Sequence, residues 1–219
     1  MNEKPPRKNK QTVKRTLDLA TWPRRDHFAF FRKFEEPFFG VTADVDCTRA
    51  YARAKERGAS FFLYYLWCSL RAANATEPFR YRISGNEVLV YDDVHASPTI
   101  NRPDGTFGFA YMDWHRELPV FLQAAATETG RVRSSTGLVP AMSGENVIHY
   151  SSVPWIRFTA IAHARSFSHP DSCPKMAFGK MEERDGRRTM PHSVHVHHAL
   201  MDGFHVAQYL DQFQEALDA

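Results

Sequence analysis

A short segment near the end of the chain, Ser193–His205, carries the side chains best suited to moving a proton. It runs from an alternating strand pattern into a turn and then into a closing helix. His198 stands where the strand ends, Asp202 follows four residues later, and Gly203 permits a backbone conformation that a side chain would obstruct. Because an imidazole exchanges protons near neutral pH, this pattern predicts a general acid–base site built around His198.

These histidines allow two other interpretations. A metal cluster is possible in principle, but the closely spaced histidines alternate between the two faces of a strand and do not bring three ligands together, so we expect no metal site. The histidines concerned are His192, His195, His197, His198 and His205. A lone histidine at a strand end is more often structural than catalytic, and that alternative stays open for His198. The combination HHxxxDG, followed by an amphipathic helix, favours catalysis.

The helices and strands predicted around this site form a mixed β-sheet covered by helices. Predicted helices cover 49–57, 60–73 and the chain end from Gly203, and predicted strands cover 79–83, 87–91, 107–113, 146–152, 155–162 and 190–197. The closing helix carries one apolar stripe, formed by Val206, Leu210, Phe213 and Leu217. Because the strands are grouped between helical blocks without regular βαβ alternation, we expect an α/β protein of the α+β two-layer sandwich type, with helices on one side of the sheet.

Positive charge is concentrated at the start of the chain. Residues 1–15 hold Glu3 and six basic residues, so the other residues sum to −2 (+3 − 5). We predict a basic, disordered tail at 1–15 and a single domain at 16–219. The domain lacks a basic face interleaved with aromatic residues, so nucleic-acid binding is not expected.

The cysteines and the apolar segments indicate a cellular compartment. The three cysteines, Cys47, Cys68 and Cys173, show no paired spacing, which is typical of a reducing environment. The longest apolar stretch, Ala59–Leu70, is about half the ~20 residues that a membrane span requires. No apolar segment follows the basic tail. We expect a cytoplasmic protein that does not associate with membranes.

Three motifs in order along the chain resemble one known family. Residues 197–206, HHALMDGFHV, look like the active-site signature of the chloramphenicol acetyltransferases. Residues 22–28, WPRRDHF, resemble the N-terminal segment of that family, and residues 151–155, SSVPW, resemble its SxxPW element. The similarity covers about residues 17–217. It implies a CoA-dependent acyltransferase fold, acetyl-CoA as co-substrate, and a homotrimer whose active sites lie between subunits.

The resemblance also implies a role for each catalytic residue. His198 is expected to be the general base that takes a proton from an acceptor hydroxyl, with direct transfer and no acyl-enzyme. Ser151 is expected to donate to the developing oxyanion. Asp202 matches an aspartate that pairs with the arginine corresponding to Arg24, an ion pair that orders the catalytic loop. An ordinary helix cap is compatible with that role for Asp202.

The substrate side follows from the resemblance as well. Trp155 and Lys180 match residues along the CoA channel, although a buried tryptophan and a solvent-facing lysine are plain alternatives. The implied acceptor pocket comprises Phe30, Phe31, Phe39, Phe107, Phe109, His149 and Ile161. Chloramphenicol is the leading acceptor, which would make the protein an antibiotic-resistance enzyme. Ala177 stands in place of the family's threonine, and His149 in place of an asparagine. These changes leave open another alcohol or an amine as acceptor, or a non-catalytic trimeric binding protein.

Overall fold

The computed structural model describes residues 13–138, 144–168 and 171–219. Its helices are α1 (Arg25–Phe31), α2 (Thr48–Glu56), α3 (Phe61–Ala75), α4 (Leu118–Arg133) and α5 (Gly203–Asp218), with a 3-10 helix at Glu77–Arg80. Its strands are β1 (Lys14–Thr16), β2 (Phe38–Asp46), β3 (Tyr81–Ser84), β4 (Glu87–Tyr91), β5 (His95–Asn101), β6 (Phe107–Phe109), β7 (Val147–Ser152), β8 (Lys175–Phe178), β9 (Glu182–Arg184) and β10 (Arg187–His197).

The main sheet is mixed, as predicted. Its strands lie in the order β2-β10-β8-β7-β5-β6, and β9 pairs with β10 beside this path. The β8-β7-β5 pairs are parallel, whereas the other pairs are antiparallel. A second, antiparallel sheet has the order β1-β4-β3. The predicted fold class is therefore confirmed.

One face of the main sheet packs against helices α3 and α5. Buried hydroxyls connect the layers: Ser69 on α3 lies 2.9 Å from the Tyr150 hydroxyl on β7 and 2.7 Å from the Tyr209 hydroxyl on α5. The Tyr209 hydroxyl also lies 3.0 Å from Nε2 of His192 on β10. Because these polar groups have partners, their burial is tolerated in an otherwise apolar core that includes Leu66.

The opposite face of the sheet is polar. Side chains alternate along a strand, and Ile148 and Tyr150 on β7 face the helices. His149 and Ser151 therefore point away from the helices. The register places the outward residues of three neighbouring strands in two rows, which are Ser151, Ala177 and Ser193, and His149, Lys175 and His195. The loop of residues 153–168 crosses part of this face, where the rings of His163 and His195 lie 4.9 Å apart.

Several predicted elements are confirmed, and two predictions are wrong. The helices predicted at 49–57 and 60–73 are α2 and α3. The strands predicted at 79–83 and 87–91 correspond to β3 and β4, which are joined by a turn at Gly85 with a φ of +56°. The strand predicted at 155–162 does not form: this segment is an irregular loop. Of the strand predicted at 107–113, only β6 is regular, because Met112 pairs by an isolated bridge with Ala96.

The start of the domain also differs from the prediction. Lys14 and Arg15 pair with Tyr91 and Val90 in the small sheet, so the boundary predicted at residue 15 lies too far along the chain. Residues 1–12, which make up most of the predicted basic tail, lie outside the described residues. Within the described ranges, every helix is too short or too polar to cross a membrane.

Candidate active site

His198 lies directly after β10, where the chain turns toward α5. Its backbone N–H donates to the Pro37 carbonyl at 2.8 Å, which anchors the turn to the start of β2. The ring stacks on Phe31 at a centroid distance of 3.9 Å and an angle of 15°, and contacts Phe39 at 4.7 Å. Two aromatic rings from separate elements therefore hold the imidazole.

One hydrogen bond selects the tautomer of His198. Nδ1 lies 3.3 Å from the Met201 carbonyl, and because a carbonyl can only accept, Nδ1 must carry the hydrogen. In the neutral ring Nε2 is then the atom with the lone pair. This is the protonation pattern that a general base requires.

Arg24 and Asp202 hold the turn from both ends. The two side chains form an ion pair, and Arg24 Nη2 also donates to the His198 carbonyl at 3.1 Å. Asp202 caps α5 by accepting from the Phe204 N–H at 3.1 Å, and His205 completes a capping box. Partial burial acts to raise the pKa of Asp202, but Arg24 and His205 outweigh burial and hold that pKa below its ordinary value. Asp202 is therefore an ionised, structural carboxylate.

Ser151 lies far from His198 within one chain. Ser151 pairs with Ala177 on β8, and Ala177 pairs with Ser193 on β10, five residues before His198. Two strand spacings across the sheet and five residues along it correspond to about 20 Å between the two Cα atoms. This separation is well beyond hydrogen-bond reach, so a single chain does not bring the two predicted catalytic residues together.

The predicted acceptor residues divide between the same two regions. Phe31 and Phe39 contact His198, and Phe30 lies 5.1 Å from Phe31 with 61% of its surface exposed. The others lie on the sheet side that carries Ser151. His149 is two residues before Ser151, the rings of Phe107 and Phe109 pair at 5.6 Å on β6, and the Ile161 backbone contacts His195.

The predicted CoA residues lie in neighbouring loops beyond the ends of β7 and β8. Trp155 is 66% exposed, and Lys180 is exposed with its backbone N–H bonded to the Ile156 carbonyl at 2.8 Å. That bond joins the two loops. The exposed indole therefore belongs to the surface rather than to the core.

Sequence reasoning missed an ion pair on the polar face of the sheet. Lys175 is 8% exposed and contacts the carboxylate of Asp171. Burial, assisted by Lys175, lowers the pKa of the adjacent His149 to about 4, so this imidazole is neutral at pH 7. The alternation of β8 was a signal for Lys175, since Met176 and Phe178 on either side of Ala177 are apolar. The short strand was not recognised.

One group of side chains in the described part of the chain has metal-ligand chemistry. Ligand atoms of His149, Asp171 and Cys173 all lie within 4.8 Å of one another. The Lys175 ammonium contacts Asp171, and such a cation opposes the entry of a metal ion.

Solved structures share this architecture. A chloramphenicol acetyltransferase superposes with a TM-score of 0.83 at 30% identity, covering 94% of this chain and 100% of the other. A probable dihydrolipoamide acetyltransferase from Listeria monocytogenes superposes with a TM-score of 0.66 at 14% identity over 88% of each chain, which shows the fold alone. The protein thus has the fold of the CoA-dependent acyltransferases.

The sequence assigns it more narrowly. The chain belongs to the chloramphenicol acetyltransferase family, which it matches over residues 13–214. Chloramphenicol acetyltransferase 2 of Escherichia coli is 28% identical over 204 residues, covering 92% of this chain and 96% of the relative. Chloramphenicol acetyltransferase of Streptomyces acrimycini is 29% identical over 204 residues, covering 92% and 93%. The family predicted from the three motifs is confirmed.

Proposed function

We propose that the protein transfers the acetyl group of acetyl-CoA to a hydroxyl of a small acceptor, with chloramphenicol as the first candidate. Membership of the chloramphenicol acetyltransferase family supports the reaction type. The observation that carries the proposal is the state of His198, whose ring is stacked on Phe31 while its Nδ1 is bonded to a carbonyl. Nε2 is left to accept a proton.

The proposed reaction is a direct transfer. Nε2 of His198 takes the proton of the acceptor hydroxyl while the hydroxyl oxygen attacks the thioester carbonyl. The carbonyl oxygen becomes an oxyanion, to which the Ser151 hydroxyl donates a hydrogen bond. When the intermediate collapses, the carbon–sulfur bond breaks and the thiolate takes the proton back from Nε2. No metal takes part in this scheme, and Cys47, Cys68 and Cys173 are buried and have no nucleophilic role.

We also propose that each site forms between two copies of the chain, in a homotrimer. The separation of about 20 Å between Ser151 and His198 supports this, since one chain supplies only one of the two groups at any site. In this arrangement His198, Phe31 and Phe39 of one copy face Ser151 and His149 of the next. Strand β2 lies at the edge of the main sheet and presents Val41, 36% exposed, as further contact surface.

The proposal also includes acetyl-CoA binding by Trp155 and Lys180 and a cytoplasmic location. The exposed Trp155 and Lys180 would contact acetyl-CoA, with the ammonium near a phosphate. The free, buried cysteines support a cytoplasmic protein. A second candidate function is the same transfer to a different alcohol or to an amine. The polar groups beside Ser151, and the alanine at 177, are the observations that support this second candidate.

The test is release of thiol from acetyl-CoA in the presence of chloramphenicol and a panel of alcohols and amines. Wild-type protein is compared with His198→Ala, which we expect to reduce kcat by about 10²- to 10⁴-fold. Turnover that is equal in the two proteins contradicts the role of His198. Absence of His198-dependent transfer to every acceptor supports a non-catalytic binding protein instead.

A further inference from the structure

The row of His149, Lys175 and His195 on the polar face of the sheet has a feature that acetyl transfer alone does not require. Lys175 is a buried cation, and its ion pair with Asp171 is also largely removed from solvent. Replacing a buried ion pair with apolar side chains is often neutral or stabilising. The stability of the fold therefore gives no reason for this charge, and the position of Lys175 points to a ligand.

The hydrogen-bonding capacity left over in this row is that of a donor. Both oxygens of Asp171 are engaged: Oδ1 accepts from the Cys173 N–H at 2.8 Å and Oδ2 contacts the Lys175 ammonium. Lys175 has three donors, and besides Asp171 its ammonium lies 3.5 Å from the Cys173 carbonyl and 5.2 Å from the centre of the Phe38 ring, which leaves donor capacity for a further oxygen atom. Nε2 of His163, on the loop above, is buried without a partner in the described residues. The row is therefore suited to bind oxygen atoms of another molecule.

The row also lies close enough to Ser151 for one acceptor molecule to contact both. His149 is two residues before Ser151 on the same face of β7, which places their Cα atoms about 7 Å apart. Lys175 pairs directly with His149, just as Ala177 pairs with Ser151. The Lys175 ammonium itself lies beside Asp171 and the Cys173 carbonyl, on the side of β8 away from Ala177. An acceptor whose hydroxyl reacts beside Ser151 can therefore reach the ammonium with a group roughly 10 Å from that hydroxyl.

We propose that Lys175 binds a carboxylate of the acceptor, so that the preferred substrates are hydroxylated small molecules that carry a carboxylate. This inference rests on the proposed function and names its substrate class. Asp171 positions the ammonium, while His149 and His163 supply uncharged hydrogen bonds, because burial lowers the pKa of each to about 4. A carboxylate that meets this row gains a charge-assisted hydrogen bond in a partly dry environment.

The test uses two acceptors that differ in one group: chloramphenicol, and its analogue with a carboxylate in place of the nitro group. We expect wild-type protein to have the higher kcat/KM for the carboxylate analogue. Lys175→Met should lower the ratio of the two kcat/KM values about 10- to 100-fold, the usual worth of a hydrogen bond to a charged group. Lys55→Met removes an exposed lysine on α2 and is the matched control, which should leave the ratio unchanged.

The variants are chosen so that misfolding does not decide the result. Lys175→Met leaves the Asp171 carboxylate without its cation, so the double variant Lys175→Met/Asp171→Asn is measured beside it. The double variant should show the same lowered ratio with a retained thermal transition. A ratio that is unchanged in both variants, with His198-dependent transfer intact, overturns the inference and leaves the proposed function standing. Failure of wild-type protein to acetylate either acceptor, while it acetylates another member of the panel, also overturns the inference, whereas failure with every member contradicts the proposed function itself.

Discussion

The two halves of the proposed site are built differently. The half around His198 is held by contacts within the chain, since Phe31 and Phe39 pack on the ring and Arg24 joins the His198 carbonyl to Asp202. The half around Ser151 lies on the polar face of the sheet, where Lys175 and His163 have unused hydrogen-bonding capacity. The residues that orient the His198 ring come from its own chain, whereas the half around Ser151 has room for differences in substrate.

The contrast follows from what each half must do. A general base must keep one orientation and one tautomer, and rigid packing provides both. A surface that selects an acceptor needs polar atoms that are still unpaired before the acceptor binds. Differences from other members of the family are therefore more easily accommodated at His149 and Lys175 than around His198.

The sharpest test of this comparison is complementation between two inactive variants, His198→Ala and Ser151→Ala. Alone, Ser151→Ala should lose about 10²- to 10³-fold in kcat, and His198→Ala at least as much. When the two are co-expressed in equal amounts, random trimers place an intact His198 opposite an intact Ser151 in about one site in four. Activity of the mixture should therefore return to about a quarter of wild type.

The control for complementation is a mixture of the two purified variants under conditions that do not exchange subunits, which should stay inactive. Light scattering on each sample gives the oligomeric state. If the co-expressed mixture is as inactive as its components, the two residues act in the same subunit and the division into halves is wrong.

A smaller effect is expected at the ion pair that orders the His198 turn. Asp202→Asn removes the charge that faces Arg24 but keeps a good helix cap, so kcat should fall by about tenfold through misplacement of His198. Asp202→Ala removes the cap as well and should cost about 1 kcal/mol more in the free energy of unfolding.

Urea unfolding and steady-state kinetics on the same preparations separate the two consequences at Asp202. If both variants lose the same stability and neither loses activity, the ion pair is not a positioning element.

The last test compares one histidine on each face of the sheet through the pH dependence of stability, with no change expected at the catalytic residues. Burial lowers the pKa of His192 to about 3 on the helix side, and that of His149 to about 4 on the polar side. Below pH ~6.5 each of these imidazoles binds a proton in the unfolded chain but not in the folded protein. The free energy of unfolding therefore falls as pH falls, by about 1.4 kcal/mol per pH unit for each such group. The loss from each group stops once the pH is below its folded-state pKa.

Urea unfolding at fixed protein concentration between pH 7 and pH 5 measures this slope. His192→Asn and His149→Asn should each reduce it by the contribution of one proton. A slope that is unchanged by His192→Asn would mean that this imidazole is not held neutral by burial.

Sequence reasoning was strongest where a pattern was long or a motif was specific. The apolar run that became α3 and the apolar stripe of α5 were predicted as helices, and the signature around His198 identified the family. The short strands β1 and β8 were missed because they span only three and four residues and their pairing partners lie far away in the chain. The strand predicted at 155–162 does not form, because this segment has a strand-like composition but no neighbouring strand to pair with among the residues that the structure describes.

The sequence alone determined the family, the mixed sheet with helices on one side, and the candidate catalytic residues. These depend on local periodicity and on motifs whose residues are adjacent in the chain. Only the tertiary structure decided that Ser151 and His198 lie about 20 Å apart in one chain, and that Lys175, His149 and His195 form one row. Strand order and register decide both, because they bring together residues that no spacing along the chain relates.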